Sequence, residues 1–442
     1  MHYCHSVDDH AATPEAAWPF GGLVKTSLLG ALIGLPVGLL TFAFIWLVHE
    51  LEHWLWHELP ARLGAEGPPW YLVVGLPILG GLLVHLARLL PGDGGHSPLH
   101  VGHTLAGRPR EAGGVALAAL ASLSFGMVLG PEAPLLALGA AAAAWFTSWA
   151  KLDKPGQDMV GAAGSSAALS TLFGGPLVAG LMILESSAGA GLAIAPIMLP
   201  ALTAASISYV LITGLGGLSG LDVAGLRLGD LPTYNSILLR DLTAAVVVGL
   251  VMAGLAFGIR RLADRVAGME TRLGRLPLLL ASGLVVGLLA LLSSSFGADP
   301  LDLLFSGQAS IIPLLAAPAA VALVLVIAKA LVFAVSLGGG FRGGVVFPAI
   351  FIGVGVADVG VLVFDMSPTV AIAMGAAAGT TAMTRMLVSS VLFAGLLVGR
   401  AGLDAIPVAT IAAVTTWLAV ARLDALGVRS AQGEGSGTPP HH

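Results

Sequence analysis

The sequence predicts an all-α, polytopic membrane protein made of two inverted-topology repeats with broken and tilted helices. Composition is the first reason: of 442 residues, 56% are hydrophobic and only 10% are charged, whereas soluble domains carry about a quarter charged residues. The mean hydropathy is +0.92. Glycine is the second reason, because 60 glycines, about twice the usual frequency, suit close helix approach and interrupted helices better than simple spans. Transporters and channels need such breaks; receptors seldom do. The third reason is an internal repeat. Gly130, Pro134 and Gly139 of G-P-E-A-P-L-L-A-L-G recur as Gly344, Pro348 and Gly353 of G-V-V-F-P-A-I-F-I-G, each displaced by 214 residues. Gly164, Ser165 and Gly180 match Gly379, Thr380 and Gly395 at a displacement of 215. Chance likeness among Gly/Ala-rich helices is the competing explanation, and two motif pairs agreeing within one residue argue against it. Transporter halves of this kind commonly face each other in inverted orientation, with broken helices meeting near the midplane.

Taken in order, residues 1–20 hold His2, Asp8, Asp9, His10 and Glu15 without a continuous apolar core, so a short polar segment is expected there rather than a secretory signal peptide. Leu23 to about Trp56 outruns a perpendicular span of roughly 20 residues, which predicts a tilted helix, and Trp54, Trp56 and His57 form an expected interfacial cluster at its end. Trp70 to about Leu90 is a second span. Beyond it the apolar stretches shorten and are punctuated by Gly and Pro. The membrane domain is expected over residues 21–423, with repeat halves of about 23–214 and 238–423, and residues 424–442 as a polar, disordered tail. Arg260, Arg261, Arg265, Arg272 and Arg275 crowd one stretch, and Lys25, Arg88, Arg108 and Arg110 flank earlier segments. The positive-inside rule places these loops and the N-terminus in the cytoplasm of a cell whose inner (plasma) membrane holds the protein.

The formal net charge is −5, which leaves no basic footprint for nucleic acid. Cys4 is the single cysteine, so neither an intrachain disulfide nor a cysteine metal cluster is expected. No paired-acid metal site and no nucleophile with a nearby base is apparent, which argues against a membrane enzyme. No metal or other cofactor is called for.

Within Gly126 to Gly139, G-M-V-L-G-P-E-A-P-L-L-A-L-G, one carboxylate sits in apolar sequence just after a Gly-Pro break. Glu132 is expensive there, and an intramembrane acid is a functional-site hypothesis by default. The plainer reading is a capping glutamate, since an acid just after a helix-starting proline complements the dipole. The same physics explains how an anion can be held: unpaired N–H groups and the positive dipole end of a helix need no lysine or arginine. Two more Gly-rich starts occur, at Gly343 to Pro348, G-G-V-V-F-P, and at Gly92 to Pro98, G-D-G-G-H-S-P. Arg342 and Lys329 are intramembrane cations whose plainer reading is pairing with helix termini or snorkelling. Asp358 and Asp365 read as boundary or capping residues.

These residues resemble the CLC family of chloride channels and chloride/proton antiporters, whose subunits are built from inverted repeats. Gly130-Pro131-Glu132-Ala133-Pro134 is similar to the family's G-(R/K)-E-G-P element, which implies the gating role for Glu132. Gly344-Val345-Val346-Phe347-Pro348 is similar to G-x-F-x-P, and Gly94-Gly95-His96-Ser97-Pro98 matches G-S-G-x-P loosely. Gly175 to Gly180, running on to Glu185, looks like the segment N-A-P-L-A-G followed by acids. Together the matches cover about Gly92 to Leu423. The resemblance implies anion contacts from Ser97 or His96, Glu132, Ala133, Val345, Val346 and Phe347, and a homodimer with one pore in each subunit.

The departures bear on mechanism. Pro131 stands where the family has a basic residue and offers no N–H. Ser186 stands where antiporters of the family carry an internal acid for protons, and neighbouring Glu185 reads as structural, pairing with helix ends. The family's tyrosine near the C-terminal end has no counterpart: Tyr3, Tyr71, Tyr209 and Tyr234 all lie upstream, and Trp417 and Leu418 occupy the final helix. The expectation is transport of chloride or a similar small anion across the bilayer, gated by protonation of Glu132, and channel-like or weakly proton-coupled. A proton-coupled chloride or fluoride antiporter is the alternative within the family. From another class, a cation-coupled inverted-repeat transporter would need several acids or oxygen ligands, and only Glu132 and Glu185 are obvious.

Overall fold

Among the described residues, fourteen principal helices account for most of the chain, and they divide into two matching sets of seven. The structure, a computed structural model, describes residues 20–95, 107–187, 194–219, 228–229 and 231–435. The first set is α1 (Phe20–His53), α2 (Trp70–Ala87), α3 (Ala112–Leu123), α4 (Glu132–Phe146), α5 (Lys154–Phe173), α6 (Pro176–Ser187) and α7 (Ile194–Ser219). The second is α8 (Leu239–Gly268), α9 (Arg275–Ser294), α10 (Ala319–Gly338), α11 (Val346–Phe364), α12 (Pro368–Thr384), α13 (Val388–Val398) and α14 (Ile406–Gly435).

Among the described residues, seven helical stretches are long and apolar enough to cross a membrane, while Glu132–Phe146 and its counterpart in α11 are shorter and apolar. Bulky side chains such as Leu28, Leu32 and Leu35 on α1, Val247 and Leu250 on α8, and Leu288 and Leu292 on α9 point outward. That would oppose folding in water and suits contact with lipid acyl chains. The protein is therefore a multi-pass membrane protein.

Packing repeats between the halves: α1 lies on α7 as α8 lies on α14, α4 on α5 as α11 on α12, and α2 on α3 as α9 on α10. The halves meet through equivalent helices, α2 against α9 and α6 against α13. Glycines set the tightest of these approaches. A Cβ on Gly139 would collide with the Gly164 carbonyl, and one on Gly353 or Gly379 would collide with the backbone of the other's helix. Four of the glycines whose recurrence reveals the repeat, Gly139, Gly164, Gly353 and Gly379, are thus contact points of α4 on α5 and of α11 on α12, because only hydrogen side chains let backbones come this close.

Three local expectations are corrected. Trp56 is buried, its Nε1 donating to the Ser124 carbonyl at 2.9 Å, while Trp54 stays exposed; a π-helical turn over Trp54–Glu58 rotates Trp56 inward. Arg88 is no interfacial flank either: its side chain is 6% exposed and pairs with Asp93. The polar tail expected from residue 424 is helical over its first part, since α14 continues to Gly435, anchored where Asp424 pairs with Arg385. Trp417 and Leu418 lie on the outer face of α14.

Candidate functional site

The site is built where the two short apolar helices begin. Pro131 precedes α4 in helical conformation and contributes no N–H, and Val345 stands in the same place before α11. The chain ahead of each start is extended enough to pair across the pseudo-twofold axis. Gly130 N–H donates to the Gly344 carbonyl at 2.9 Å and Gly344 N–H donates back at 2.5 Å. This antiparallel bridge joins repeat-equivalent residues.

Glu132 then reaches across the same axis. Its Oε1 accepts the Val346 N–H at 2.5 Å, 214 residues away, so the carboxylate occupies the start of the opposite half's helix at the position equivalent to its own. The residue is 3% exposed, and its Oε2 is buried without a hydrogen-bond partner among the described residues. Pro131, the N-cap of α4, makes no side-chain cap hydrogen bond. The anionic group thus meets the positive end of a facing helix, where a free N–H and the macrodipole favour negative charge.

Val346 and Phe347 are buried and Val345 is half-buried, and Phe347 closes the site with Phe173 at 5.6 Å and Phe393 at 6.2 Å between ring centroids. Ala133 follows Glu132 in the first turn of α4, half-buried. His96 and Ser97 lie outside the described residues. Phe173 and Phe393 were not singled out by sequence; nothing distinguishes them from ordinary core aromatics until the helices are placed.

The other candidates have structural partners. Glu185 on α6 accepts the N–H groups of Leu387, Val388 and Ser389 at 2.9, 2.8 and 2.9 Å, satisfying the start of α13 across the axis. Ser186 Oγ donates to the Ile183 carbonyl at 2.9 Å. Lys329, fully buried, donates to the Asp302 and Leu304 carbonyls at 3.0 and 2.8 Å and lies 4.7 Å over the Phe351 ring. Asp365 ends α11 in a left-handed conformation and faces Arg240 at 3.5 Å. Tyr234 donates to Asp241 at 2.6 Å at the start of α8. Replacing Glu185 by Ala leaves three N–H groups without their shared acceptor and is expected to cost about 1–3 kcal/mol. A fall of several degrees in the thermal midpoint of the purified protein checks this, and an unchanged midpoint contradicts it.

A family profile described as "Voltage gated chloride channel" matches residues 91–420. Among named relatives, YfeO of Salmonella paratyphi A, named provisionally as an ion-transport protein, is 26% identical over 346 residues, covering 75% of this chain and 79% of YfeO. YfeO of Salmonella newport is 25% identical over the same span, with the same coverage. A slow cyanobacterial Cl−/H+ antiporter shares the fold at a TM-score of 0.72 and 19% identity, covering 90% of this chain and 95% of that one. A CLC-type fluoride/proton antiporter matches at 0.68 and 19% identity, covering 91% and 96%. A eukaryotic CLC transporter matches at 0.69 and 21% identity, covering 90% and 72%.

Proposed function

Because this chain belongs to the voltage gated chloride channel (CLC) family and so to a family of anion transporters and channels, we propose that it moves chloride or a similar small anion along a path that passes the start of α11, and that Glu132 gates this path. The observation that carries the reading is the Glu132 carboxylate lying on the Val346 N–H. A carboxylate there stands where a permeating anion would find the same donor. Deprotonated, Glu132 competes with the anion; protonated, it releases the donor. Ala133, Val345, Val346 and Phe347 line this step, with His96 or Ser97 as further contacts.

Channel-like or weakly coupled transport is our reading of the coupling. Ser186 does not titrate usefully near neutral pH, and its hydroxyl is engaged with its own helix. The alternative, a proton-coupled chloride or fluoride antiporter, draws support from the antiporters with which the chain shares its fold. We further propose a homodimer with one pore per subunit, seated in the inner (plasma) membrane.

Simultaneous recording of anion and proton flux from purified protein in liposomes tests the reading. The expected result is chloride flux without stoichiometric proton movement, unaffected by exchange of the counter-cation. A proton gradient that alone drives sustained uphill chloride accumulation at a fixed ratio overturns weak coupling. Flux that follows the cation overturns anion transport.

A further inference from the structure

The last turns of α8 and the short stretch that leads into α9 carry a patch of arginines that the site around Glu132 does not use. α8 is 30 residues long, about 45 Å at 1.5 Å per residue, against a hydrocarbon core of about 30 Å. Its outward side chains change accordingly. Val247, Leu250 and Val251 are exposed apolar residues. About 20 residues, enough to cross the core, bring the helix from Leu239 to Gly258, and beyond that point Arg261 and Arg265 take over the exposed surface. Arg272 and the apolar Met269 and Leu273 are exposed in the stretch that follows. Arginines interleaved with apolar side chains suit the boundary between acyl chains and headgroups.

Two features of the patch go beyond the general bias of membrane proteins toward basic residues on one side. The first is residue type. Arg260, Arg261, Arg265, Arg272 and Arg275 are all arginine, and no lysine lies between Lys154 and Lys329. Lysine serves an orientation bias equally well, whereas the planar guanidinium fork matches phosphate oxygens two at a time. The second is that charge is left over. Arg275 takes up Glu270 at 3.3 Å, and Arg260 turns inward, donating to the Ala382 and Met383 carbonyls at 2.6 and 3.1 Å. Among the described residues none of Arg261, Arg265 and Arg272 forms an ion pair. Asp264 is the one further acid between Arg260 and Arg275, so three exposed guanidiniums face a single carboxylate.

The patch also has the room and the spacing for a ligand. Arg261 and Arg265 stand one turn apart on α8, which puts their Cβ atoms about 5–6 Å apart, close enough for both guanidiniums to reach one phosphate group. The Arg261 guanidinium lies 5.3 Å over the Phe257 ring, an attraction that keeps it against the outer face of the helix. Nothing lies within 4 Å of where a Cβ would stand on Gly258 or Gly268, so the surface on either side of the pair is open.

We propose that Arg261 and Arg265, with Arg272 beside them, hold the phosphate of one anionic phospholipid from the leaflet on the side of the α8–α9 turn, its acyl chains lying along the apolar outer face of α8. A lipid fits better than a soluble phosphate because the arginines continue a lipid-facing stripe and are flanked by exposed Met269 and Leu273. The proposal does not depend on the anion-transport reading. It gives the bilayer a hold on the fold, since Arg260, the neighbour of Arg261, ties this end of α8 to the end of α12.

Retention of phosphatidylglycerol by the purified full-length protein in detergent, read by native mass spectrometry, is the test, with phosphatidylcholine as the neutral comparison. The expected result is one molecule of phosphatidylglycerol held about tenfold more tightly than phosphatidylcholine, since each arginine beside an anionic headgroup contributes about fivefold. Arg261→Gln combined with Arg265→Gln should weaken phosphatidylglycerol about tenfold and leave phosphatidylcholine unchanged. Arg108→Gln combined with Arg110→Gln, two exposed arginines on another flank, should change neither. Equal retention of the two lipids overturns the proposal. A loss of affinity shared by both double variants also overturns it, because the attraction would then be a diffuse effect of net charge. Inorganic phosphate should fail to displace the lipid; displacement would mark a site for free phosphate and refute the phospholipid. Should the first double variant fail to fold, Arg265→Gln alone should still weaken phosphatidylglycerol about fivefold, and an unchanged affinity there overturns the proposal.

Discussion

Anion flux through Glu132→Gln should be nearly independent of pH, within about twofold between pH 4.5 and 7.5, whereas the unaltered protein should speed up about tenfold or more as the pH falls. The magnitude follows from the bond at stake. A hydrogen bond to a charged acceptor contributes about 1.5–3 kcal/mol, and each 1.4 kcal/mol is a factor of ten in occupancy. On the proposed gating role, protonating Glu132 weakens its hold on the Val346 N–H, so the carboxylate blocks the donor at high pH and yields it at low pH. Glutamine matches the neutral acid in shape and removes the titration. Flux from liposomes loaded at several pH values checks this, with monodispersity by size-exclusion chromatography as the control for folding. A capping role makes the opposite forecast: a less stable protein with its pH profile intact.

Gly379→Leu should abolish the folded protein in the membrane. A Cβ at this position would strike the Ala349 carbonyl and crowd Gly353, so even alanine separates α11 from α12, and a leucine cannot be housed by rotating a neighbour. Overpacking in a close-packed interior costs about 1–3 kcal/mol where side chains can move, and here the obstacle is backbone on a helix that carries the Val346 donor. The expected outcome is aggregated material on size exclusion, or a thermal midpoint lowered by more than ten degrees. Gly254→Leu on α8 provides the comparison, since nothing lies near a Cβ there, and it should leave the midpoint almost unchanged. Equal stability of the two variants would refute the close-approach account of the repeat.

Much of the architecture was legible because the same residues that mark the repeat in sequence make the contacts in space. Gly139, Gly164, Gly353 and Gly379 recur at fixed displacements because each half needs the same backbone approach. Glu132 stood out because an acid in apolar sequence is rare, but its partner could not be named: a backbone N–H has no residue identity, and Val346 looks like any other valine. Arg88 read as an interfacial flank because a local window shows a nearby Asp93 but neither the burial of Arg88 nor the Gly340 carbonyl that it also binds, which folding brings from the other half. Trp56 misled for a related reason, since the π-helical turn that buries it has no composition signature. The end of the last helix was placed too early because polar residues past Leu423 look unstructured until Asp424 finds Arg385.

The backbone bridge between Gly130 and Gly344 has a mechanical consequence. Two reciprocal hydrogen bonds act as a rivet through the axis, so the facing ends of α4 and α11 are held at a fixed separation. Prying them apart would break both bonds in a water-poor interior and would move two helices that are each locked to a neighbour by glycine contacts. On the proposed gating role, the moving part at this point is the side chain of Glu132, with three torsions and little mass. Rotamer changes take picoseconds to nanoseconds when unhindered, and collective helix motions take microseconds to milliseconds. On the proposed gating role, opening then costs the hydrogen bond between Glu132 and Val346 rather than a rearrangement of the two halves.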